Sequence, residues 1–183
     1  MPEPIRQTPQ GTLPYDAYLQ IENIPGESTD AIHTGWIEIK QFSLVLNQKV
    51  SSSFSASGAP ASGQADLGYF TIGKEIDKTS PKLALALCKG EAIKVVTLEI
   101  CTQTGDKQPY WKIMLSNCII AAIHLTADPV PASTEALAIS KPVEWVSFAY
   151  GRIEWTYTEL DHDTGKVKGS IAAHWDRKSN TGG

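Results

Sequence analysis

The densest group of side chains able to do chemistry is Asp161-His162-Asp163. Two carboxylates beside an imidazole could exchange protons with a substrate or bind a divalent metal ion. The same residues directly precede Thr164-Gly165, and aspartates commonly brace such turns by accepting hydrogen bonds from nearby backbone N–H groups. Neither a cysteine nor a distant histidine is spaced to complete a metal site. We therefore predict a hairpin turn here, and no metal or acid–base centre.

The other histidines and the cysteines show no spacing typical of catalysis. His33 follows a predicted turn, and bonding within that turn is its favoured role. Cys88, Cys101 and Cys118 contain no CxxC pair, so we expect three buried thiols in a reducing cytosol. The sequence also lacks GxSxG, HExxH, P-loop and GxGxxG motifs. We predict that the chain is not an enzyme and that it uses no cofactor or metal.

The composition is that of a globular domain without a nucleic-acid surface. A chain of 183 residues is long enough for one domain with a sizeable core. Its 16 basic and 20 acidic residues give a net charge of -4, whereas phosphate binding needs a basic surface. Five tryptophans leave a carbohydrate-binding β-sandwich open as an alternative, although strands favour aromatic residues in any case. We expect neither a signal peptide nor membrane insertion, because no suitable apolar stretch is present.

Most of the remaining sequence is patterned as strands that must position these side chains. We predict a disordered proline-rich arm over residues 1–14, one domain over 15–180 and a tail over 181–183. Alternating apolar residues predict strands over 15–22, 35–47, 93–101, 108–126 and 143–158, and a last strand that ends near 175. The strand over 35–47 changes parity, which a bulge at Lys40–Gln41 would explain. Breaks are expected near Asn117 and Gly151. Residues 49–64, rich in Ser, Ala and Gly, are predicted to be a long flexible loop.

One segment departs from the strand pattern and predicts a short, unusually apolar helix. Ser80 can act as its N-cap, Pro81 suits the first helical position, and Gly90 suits the end. Within the helix only Lys82 and Lys89 interrupt the apolar run, and Leu85 points away from the other leucines. We infer that the helix is buried on two sides, by its own sheet and by a neighbouring subunit.

The helix entry carries a resemblance to a known family. Asp77, Lys78, Ser80, Pro81 and Leu83 match the Asp-Lys-x-Ser-Pro-x-Leu helix entry of the Hcp family, the tube-forming proteins of bacterial type VI secretion. The similarity extends to the Gly-Glu-Ser turn within residues 21–43, and to residues 151–157 and 174–180, which resemble the last strands of the family. In total it covers most of residues 15–180.

The resemblance implies an all-β fold in which two sheets form a β-barrel and a short α-helix packs on its side. It implies a structural subunit that forms hexameric rings, which stack into a tube. A contractile sheath ejects this tube, which carries a spike protein and small effectors. Assembly is then expected in the bacterial cytoplasm, with export to the extracellular space or a target cell. Tube proteins of phage tails and related injection systems remain an alternative, because they share the architecture.

The family's architecture also suggests roles for particular residues. We expect Leu85, Lys82 and Lys89 to lie at the interface between subunits, opposite a strand edge such as the last hairpin. Gln41 and Ser43 are expected to face the lumen and its cargo, because the corresponding strand belongs to the channel wall. The contacts that stack the rings are expected from the turn at Gly26, Glu27 and Ser28 and from Ser53, Phe54 and Gly58 in the long loop.

Overall fold

The computed structural model of the protein describes residues 15–54, 60–103, 107–126, 141–161 and 164–183. These residues form strands and a single helix. The strands are β1 (Asp16–Ile21), β2 (Ile37–Glu38), β3 (Gln41–Phe54), β4 (Pro60–Glu75), β5 (Ile93–Cys101), β6 (Pro109–Thr126), β7 (Val143–Ala149), β8 (Arg152–Leu160), β9 (Val167–Asp176) and β10 (Thr181–Gly182). The helix is α1 (Ser80–Lys89). No helix in these ranges is long and apolar enough to cross a membrane.

The strands form two antiparallel layers that share β6. The large sheet has the order β10-β9-β8-β6-β5-β1-β2, and the small sheet has the order β3-β4-β7-β6. The first part of β6 pairs with β5 and β8, and the part from Ile119 onward pairs with β7. The strand turns between the sheets at Asn117, whose φ of 55° is left-handed. The predicted break at this residue is thus a bend within one strand.

Both sheets and the helix contribute side chains to one core. Leu19, Leu98 and Leu115 from the large sheet are almost fully buried, as are Phe70 and Phe148 from the small sheet. The structure confirms an all-β fold with one short helix packed on it. The hydrogen-bonded strands do not close into a complete barrel among the residues described.

The chain between residues 35 and 47 is two strands in different sheets, and not one bulged strand as predicted. Ile37 pairs with Leu19 of the large sheet, and the Ile39 N–H donates to Ala17 of the same sheet at 2.9 Å. The next amide, Lys40 N–H, donates to Gly73 of the small sheet at 2.9 Å. The change of parity that suggested a bulge therefore marks the point where the chain passes between sheets.

Two other predicted boundaries are revised, and one expected break is confirmed. Most of the predicted loop over residues 49–64 is a long β3–β4 hairpin, because backbone pairing with a partner strand overrides the weak strand preference of Ser, Ala and Gly. The break expected at Gly151 within residues 143–158 is confirmed, and it separates two strands, β7 and β8. Residues Thr181–Gly182, predicted to belong to a tail, pair with β9.

The helix begins at the residue predicted to be its cap, one position earlier than expected. Ser80 is the first helical residue, and Thr79 occupies the N-cap position without a side-chain cap hydrogen bond. Gly90 ends the helix as predicted, with φ of 61° and its N–H donating to Leu87 at 3.0 Å. Leu83 and Ala86 are buried against the sheets, whereas Leu85 is 52% exposed. The predicted outward direction of Leu85 is confirmed.

Candidate functional site

The part of the chain that the structure describes holds no group of three or more His, Cys, Asp or Glu residues placed to bind a metal. Asp161 accepts hydrogen bonds from the backbone N–H of Thr164 at 2.8 Å and from its hydroxyl at 2.9 Å. It therefore braces the hairpin turn, as predicted. His162 and Asp163, the other members of that cluster, lie outside the described residues.

His33 is a buried structural residue with two carboxylate partners. Its Nδ1 lies 3.1 Å from Asp30, within the predicted turn, and its Nε2 lies 2.9 Å from Glu99 on β5. The ring also stacks on Tyr18 at 4.3 Å between centroids. The prediction of a structural role within the turn therefore extends to a link between the turn and two strands of the large sheet.

A lysine reinforces the same end of the large sheet. The ammonium of Lys107 lies 2.7 Å from Asp30 and 2.7 Å from Asp16. Its hydrogen bond, together with those from His33 and the backbone of Ile32, holds the pKa of Asp30 well below its usual value. These charges fasten the segment before β2 to the start of β1, and His33 itself is buried, with 1% of its surface exposed.

Two of the three cysteines follow the prediction of burial. Cys101 and Cys118 are buried, and desolvation raises the pKa of each thiol to about 12, so neither is a nucleophile at neutral pH. Cys88 departs from the prediction, because it is exposed on the outer side of α1. It lies three residues after Leu85 and shares its side of the helix.

The tryptophans mostly serve the core. Trp111, Trp155 and Trp175 are partly buried and pack against it, and Trp36 lies edge-on to His33 at 4.8 Å. These contacts favour the packing role over a sugar-binding platform.

The residues expected to stack the rings differ in how accessible they are. Gly26 and Ser28 are buried, and a Cβ at Gly26 would lie 2.2 Å from the Trp36 carbonyl oxygen. They shape the turn and offer little surface. Glu27 is exposed, and its carboxylate accepts the backbone N–H of Lys78 at 2.9 Å. This contact fastens the turn to the entry of α1.

The remaining residues expected to stack the rings belong to the β3–β4 hairpin. Ser53 and Phe54 are the last residues of β3, and Gly58 lies outside the described residues. The pairing of β4 with β7 starts only at Phe70. Among the residues described, the part of β4 before Phe70 pairs only with β3. The outer part of the hairpin thus extends beyond the rest of the small sheet.

Gln41 and Ser43 lie on the outer side of the small sheet. Both are exposed, while Phe42 and Leu44 between them pack toward the core. Across the four strands the outer side forms two rows, Gln41–Gly73–Trp145–His124 and Ser43–Thr71–Ser147–Ala122. We call these eight residues the neutral face, because they include no Asp, Glu, Lys or Arg. The hydroxyls of Thr71 and Ser147 lie 2.8 Å apart.

The outer side of α1 carries a narrow stripe formed by Lys82, Leu85 and Lys89. These positions are spaced by three and four residues and therefore lie on one side of the helix. All three are exposed, and α1 itself contains no acidic residue. The stripe is an exposed leucine flanked by two positive charges.

A second apolar surface lies on the β8–β9 hairpin, and sequence reasoning missed it. Ile153, Trp155 and Tyr157 alternate along β8 on the side that faces the core, and their exposure rises along the strand, from 0% at Ile153 to 46% at Tyr157. Ile171, the partner of Tyr157 on β9, is 75% exposed. The alternation shows that one side of β8 is apolar, but it does not show that the strand runs beyond the core. We call Trp155, Tyr157, Ile171 and Ala173 the hairpin face.

The family described as "Type VI secretion system effector, Hcp" matches residues 18–157 of this chain. The match spans the whole small sheet, the helix and most of the large sheet. The chain belongs to the Hcp family. The resemblance carried by the helix entry is thereby confirmed.

Solved structures agree with this placement of the Hcp chain. One, described as a type six secretion system protein, is 28% identical with a TM-score of 0.81, covering 92% of this chain and 99% of its own. Hcp1 from Salmonella typhimurium is 22% identical with a TM-score of 0.71, covering 93% and 99% respectively. A type VI secretion system effector from Yersinia pestis is 23% identical with a TM-score of 0.62, covering 88% and 99%. The last two similarities concern the fold alone. No curated protein matches this Hcp chain.

The helix-entry motif of this Hcp chain is a structural latch around a buried lysine. Lys74 is fully buried, and its ammonium donates to Glu144 at 2.7 Å and to Asp77 at 2.8 Å. The Ser80 hydroxyl donates to the same Glu144 carboxylate at 2.6 Å and accepts the Asp77 N–H at 3.1 Å. Burial alone would raise the pKa of Asp77, but hydrogen bonds from Lys74 and Thr79 outweigh it, and the pKa is lowered. The motif thus fixes α1 to the small sheet.

Proposed function

We propose that this Hcp protein is a structural subunit of the type VI secretion inner tube. Six copies close into a ring, and rings stack into a tube that a contractile sheath ejects. The observation that carries the proposal is the pair of different exposed apolar surfaces on one chain: the stripe on α1 and the hairpin face. A contiguous exposed apolar patch such as the hairpin face marks an interaction site.

Two different surfaces on one chain suit a ring. A contact between unlike patches is heterologous, and repeating it around an axis gives a closed ring when the rotation between neighbours closes. We place Leu85, Lys82 and Lys89 in this contact between subunits. A self-complementary patch, which would favour a two-fold dimer, is not needed to account for the exposed side chains.

The neutral face is proposed as the wall of the channel, with Gln41 and Ser43 directed to the lumen. Half of this face is hydroxyl and amide side chains, and the rest is Trp145, His124, Gly73 and Ala122. Without Asp, Glu, Lys or Arg it offers a folded cargo many weak contacts and no strong ion pair. Small effector proteins could then be carried without being held too tightly to leave. The family's own description as an effector agrees with passage of this protein out of the cell.

Stacking of rings is assigned to the exposed Glu27 and to the extended β3–β4 hairpin with Ser53, Phe54 and Gly58. Gly26 and Ser28 contribute by shaping the turn that presents Glu27. We expect ring–ring contacts to be weak, so that the sheath, the baseplate and the spike protein organise the tube. Spontaneous filaments of the purified protein would contradict this part of the proposal.

The proposed route follows from the secretion system. Rings assemble in the bacterial cytoplasm, and the apparatus exports them to the extracellular space or a target cell. A catalytic role is not proposed, because His33, Cys101 and Cys118 are buried and engaged in the fold. The tube of a phage tail or a related injection system is the alternative, and the family match favours type VI secretion.

Light scattering over a concentration series tests the proposal. We expect a species with six times the 19.9 kDa mass of one chain, in equilibrium with free subunits at high dilution. A mass that stays at one chain up to a concentration of about 1 mM would contradict the proposed ring, since even a weak specific contact is populated there.

A further inference from the structure

We propose that the α1 stripe of one copy docks on the hairpin face of a second copy, with Leu85 seated on Tyr157 and Ile171. This inference rests on the proposed function, because it names the two surfaces that meet in the ring. It differs from pairing at a strand edge, since the contact is made by side chains on a sheet face.

The hairpin face is an uncovered continuation of the core. In the large sheet Leu115 and Ile153 are fully buried, and the next pair along, Ile113 and Trp155, is still covered. One pair further, Trp111 and Tyr157 lie with ring centroids 6.5 Å apart at the margin of the core. A face with core composition that solvent reaches is suited to a partner that supplies the missing layer.

The helix stripe has the shape and polarity to supply that layer. Leu85 is 52% exposed although α1 is apolar on most of its circumference. Covering it would remove most of the water contact of that side chain, and removing apolar surface from water stabilises a contact. Cys88 lies next to it on the same side and has the size and polarity of a small apolar residue.

Charges flank the two surfaces in a complementary way. The stripe carries Lys82 and Lys89 on either side of Leu85, and among the described residues neither lysine takes part in an ion pair. On β8 the position after Tyr157 on the same side is Glu159, which is exposed and in no described ion pair either. A leucine seated near Tyr157 would bring one of the two lysines within reach of this carboxylate. Complementary charges of this kind fix register and select the partner.

The occupant is a second copy because both halves are present on one chain and remain apart in it. Leu85 and Ile171 each keep more than half of their surface exposed, so the chain does not satisfy the contact internally. The same contact can therefore repeat from copy to copy, as a ring requires.

A charge reversal tests the pairing. Glu159→Lys places a third positive charge opposite Lys82 and Lys89, and we expect the concentration for half-dissociation of the ring to rise by about tenfold or more. The combined variant Lys82→Glu/Lys89→Glu/Glu159→Lys restores opposite charges and should recover most of that loss. Glu38→Lys, at an exposed glutamate on β2, is the matched control and should leave the ring unchanged. A ring that Glu159→Lys does not weaken, or a weakened ring that the triple variant does not rescue, would overturn the proposal.

The native Cys88 allows a direct test of proximity. In Ile171→Cys, mild oxidation should link Cys88 of one copy to the new cysteine of the next, giving a ladder of up to six chains on a non-reducing gel. Disulfides require Cα atoms within about 7 Å, so a ladder shows contact. Wild-type protein and the variant Cys88→Ser/Ile171→Cys should show no ladder. Intact rings of Ile171→Cys that give no ladder would overturn the proposal.

The two proposals fail in different ways. If wild-type protein forms no ring at any concentration, the proposed function fails at the first measurement. If wild-type rings form, but Glu159→Lys does not weaken the ring and Ile171→Cys gives no cross-link, the proposed ring is retained. Only the pairing of these two surfaces is then wrong. A further control, Ile32→Ser, removes an apolar side chain that is as exposed as Leu85 (52%) but lies elsewhere, and it should not affect the ring.

Discussion

Within the described ranges, the buried charged residues of this protein hold chain segments together and are not arranged for catalysis. Lys74 is fully buried between Asp77 and Glu144, and His33 between Asp30 and Glu99. The sequence marked Asp77 and Ser80 as a family motif but could not show that their partner is Lys74, three residues before the motif, or Glu144 in a different strand. Such partners become visible only once β4 and β7 are paired.

Removing the buried ammonium of Lys74 should strongly destabilise the folded protein. In Lys74→Met the carboxylates of Asp77 and Glu144 lose their cation in a buried setting, and we expect the free energy of unfolding to fall by about 3–5 kcal/mol. Urea unfolding followed by tryptophan fluorescence measures it. Lys40→Met is the control, because Lys40 and Glu75 form an exposed pair at 3.6 Å and should contribute no more than about 1 kcal/mol. If both variants lost the same free energy of unfolding, Lys74 would contribute no more than an exposed ion pair, and the proposed structural role of the buried lysine would be wrong.

Asp30 predicts a specific dependence of stability on pH. Its pKa in the folded protein is held below the ordinary value of 3.8 for an aspartate, chiefly by Lys107. At a pH above the ordinary aspartate pKa, the carboxylate is charged in both the folded and the unfolded protein, and its contribution to stability is complete. This contribution is lost as the pH falls through the lower pKa of the folded protein. Asp30→Asn removes it, at a cost of about 1.5–3 kcal/mol at pH 7.

The comparison needs unfolding free energies at pH 7 and pH 2. The gap between wild type and Asp30→Asn should narrow at pH 2, because the wild-type contribution is then partly lost. Asp16 also has a lowered pKa beside Lys107, so protonation of Asp16 in acid destabilises both proteins. The exposed Asp66→Asn should change stability by less than about 0.5 kcal/mol at either pH. A gap that widens toward pH 2 would show that the assigned sign is wrong.

At the scale of elements, local patterns predicted the strand and helix types better than their partners. The boundaries of β5 and the end of α1 at Gly90 follow from local sequence, namely β-branched residues and a glycine with φ of 61°. The passage from β2 to β3 was mistaken for a bulge, because a change of parity looks the same whether a strand bulges or changes sheets. The β3–β4 hairpin was mistaken for a loop, since its pairing is a long-range property.

The bend in β6 gives a prediction at this scale. Asn117 has left-handed φ where the strand passes from the large sheet to the small one, and its carbonyl accepts the Gly151 N–H at 3.2 Å. Asn117→Gly should keep stability within about 0.5 kcal/mol of wild type, whereas the β-branched Asn117→Val should cost about 1–2 kcal/mol. Thermal unfolding by circular dichroism compares the two. Similar melting temperatures for both variants would mean that the bend does not depend on the left-handed residue.

At the scale of the whole molecule, the family and the fold class could be predicted from the sequence. Of the two surfaces proposed to meet in the ring, only one could be predicted. Leu85 could be placed on the outer side of α1 from helical spacing alone. The hairpin face could not be predicted in this way, because the exposure of Tyr157 and Ile171 depends on where the small sheet stops covering the large one. The neutral face likewise needs the register of four strands, which brings Ser43 into line with Thr71 and Ser147.

The proposed role as a tube subunit depends on a closed ring. The measurement that tests it most directly is single-particle electron microscopy of the purified full chain at a concentration where light scattering shows the oligomer. We predict class averages with six-fold symmetry and an open centre, with the neutral face on the inner wall. Compact particles of one chain, or two-fold dimers without a channel, would contradict the assignment of this Hcp protein as a tube subunit.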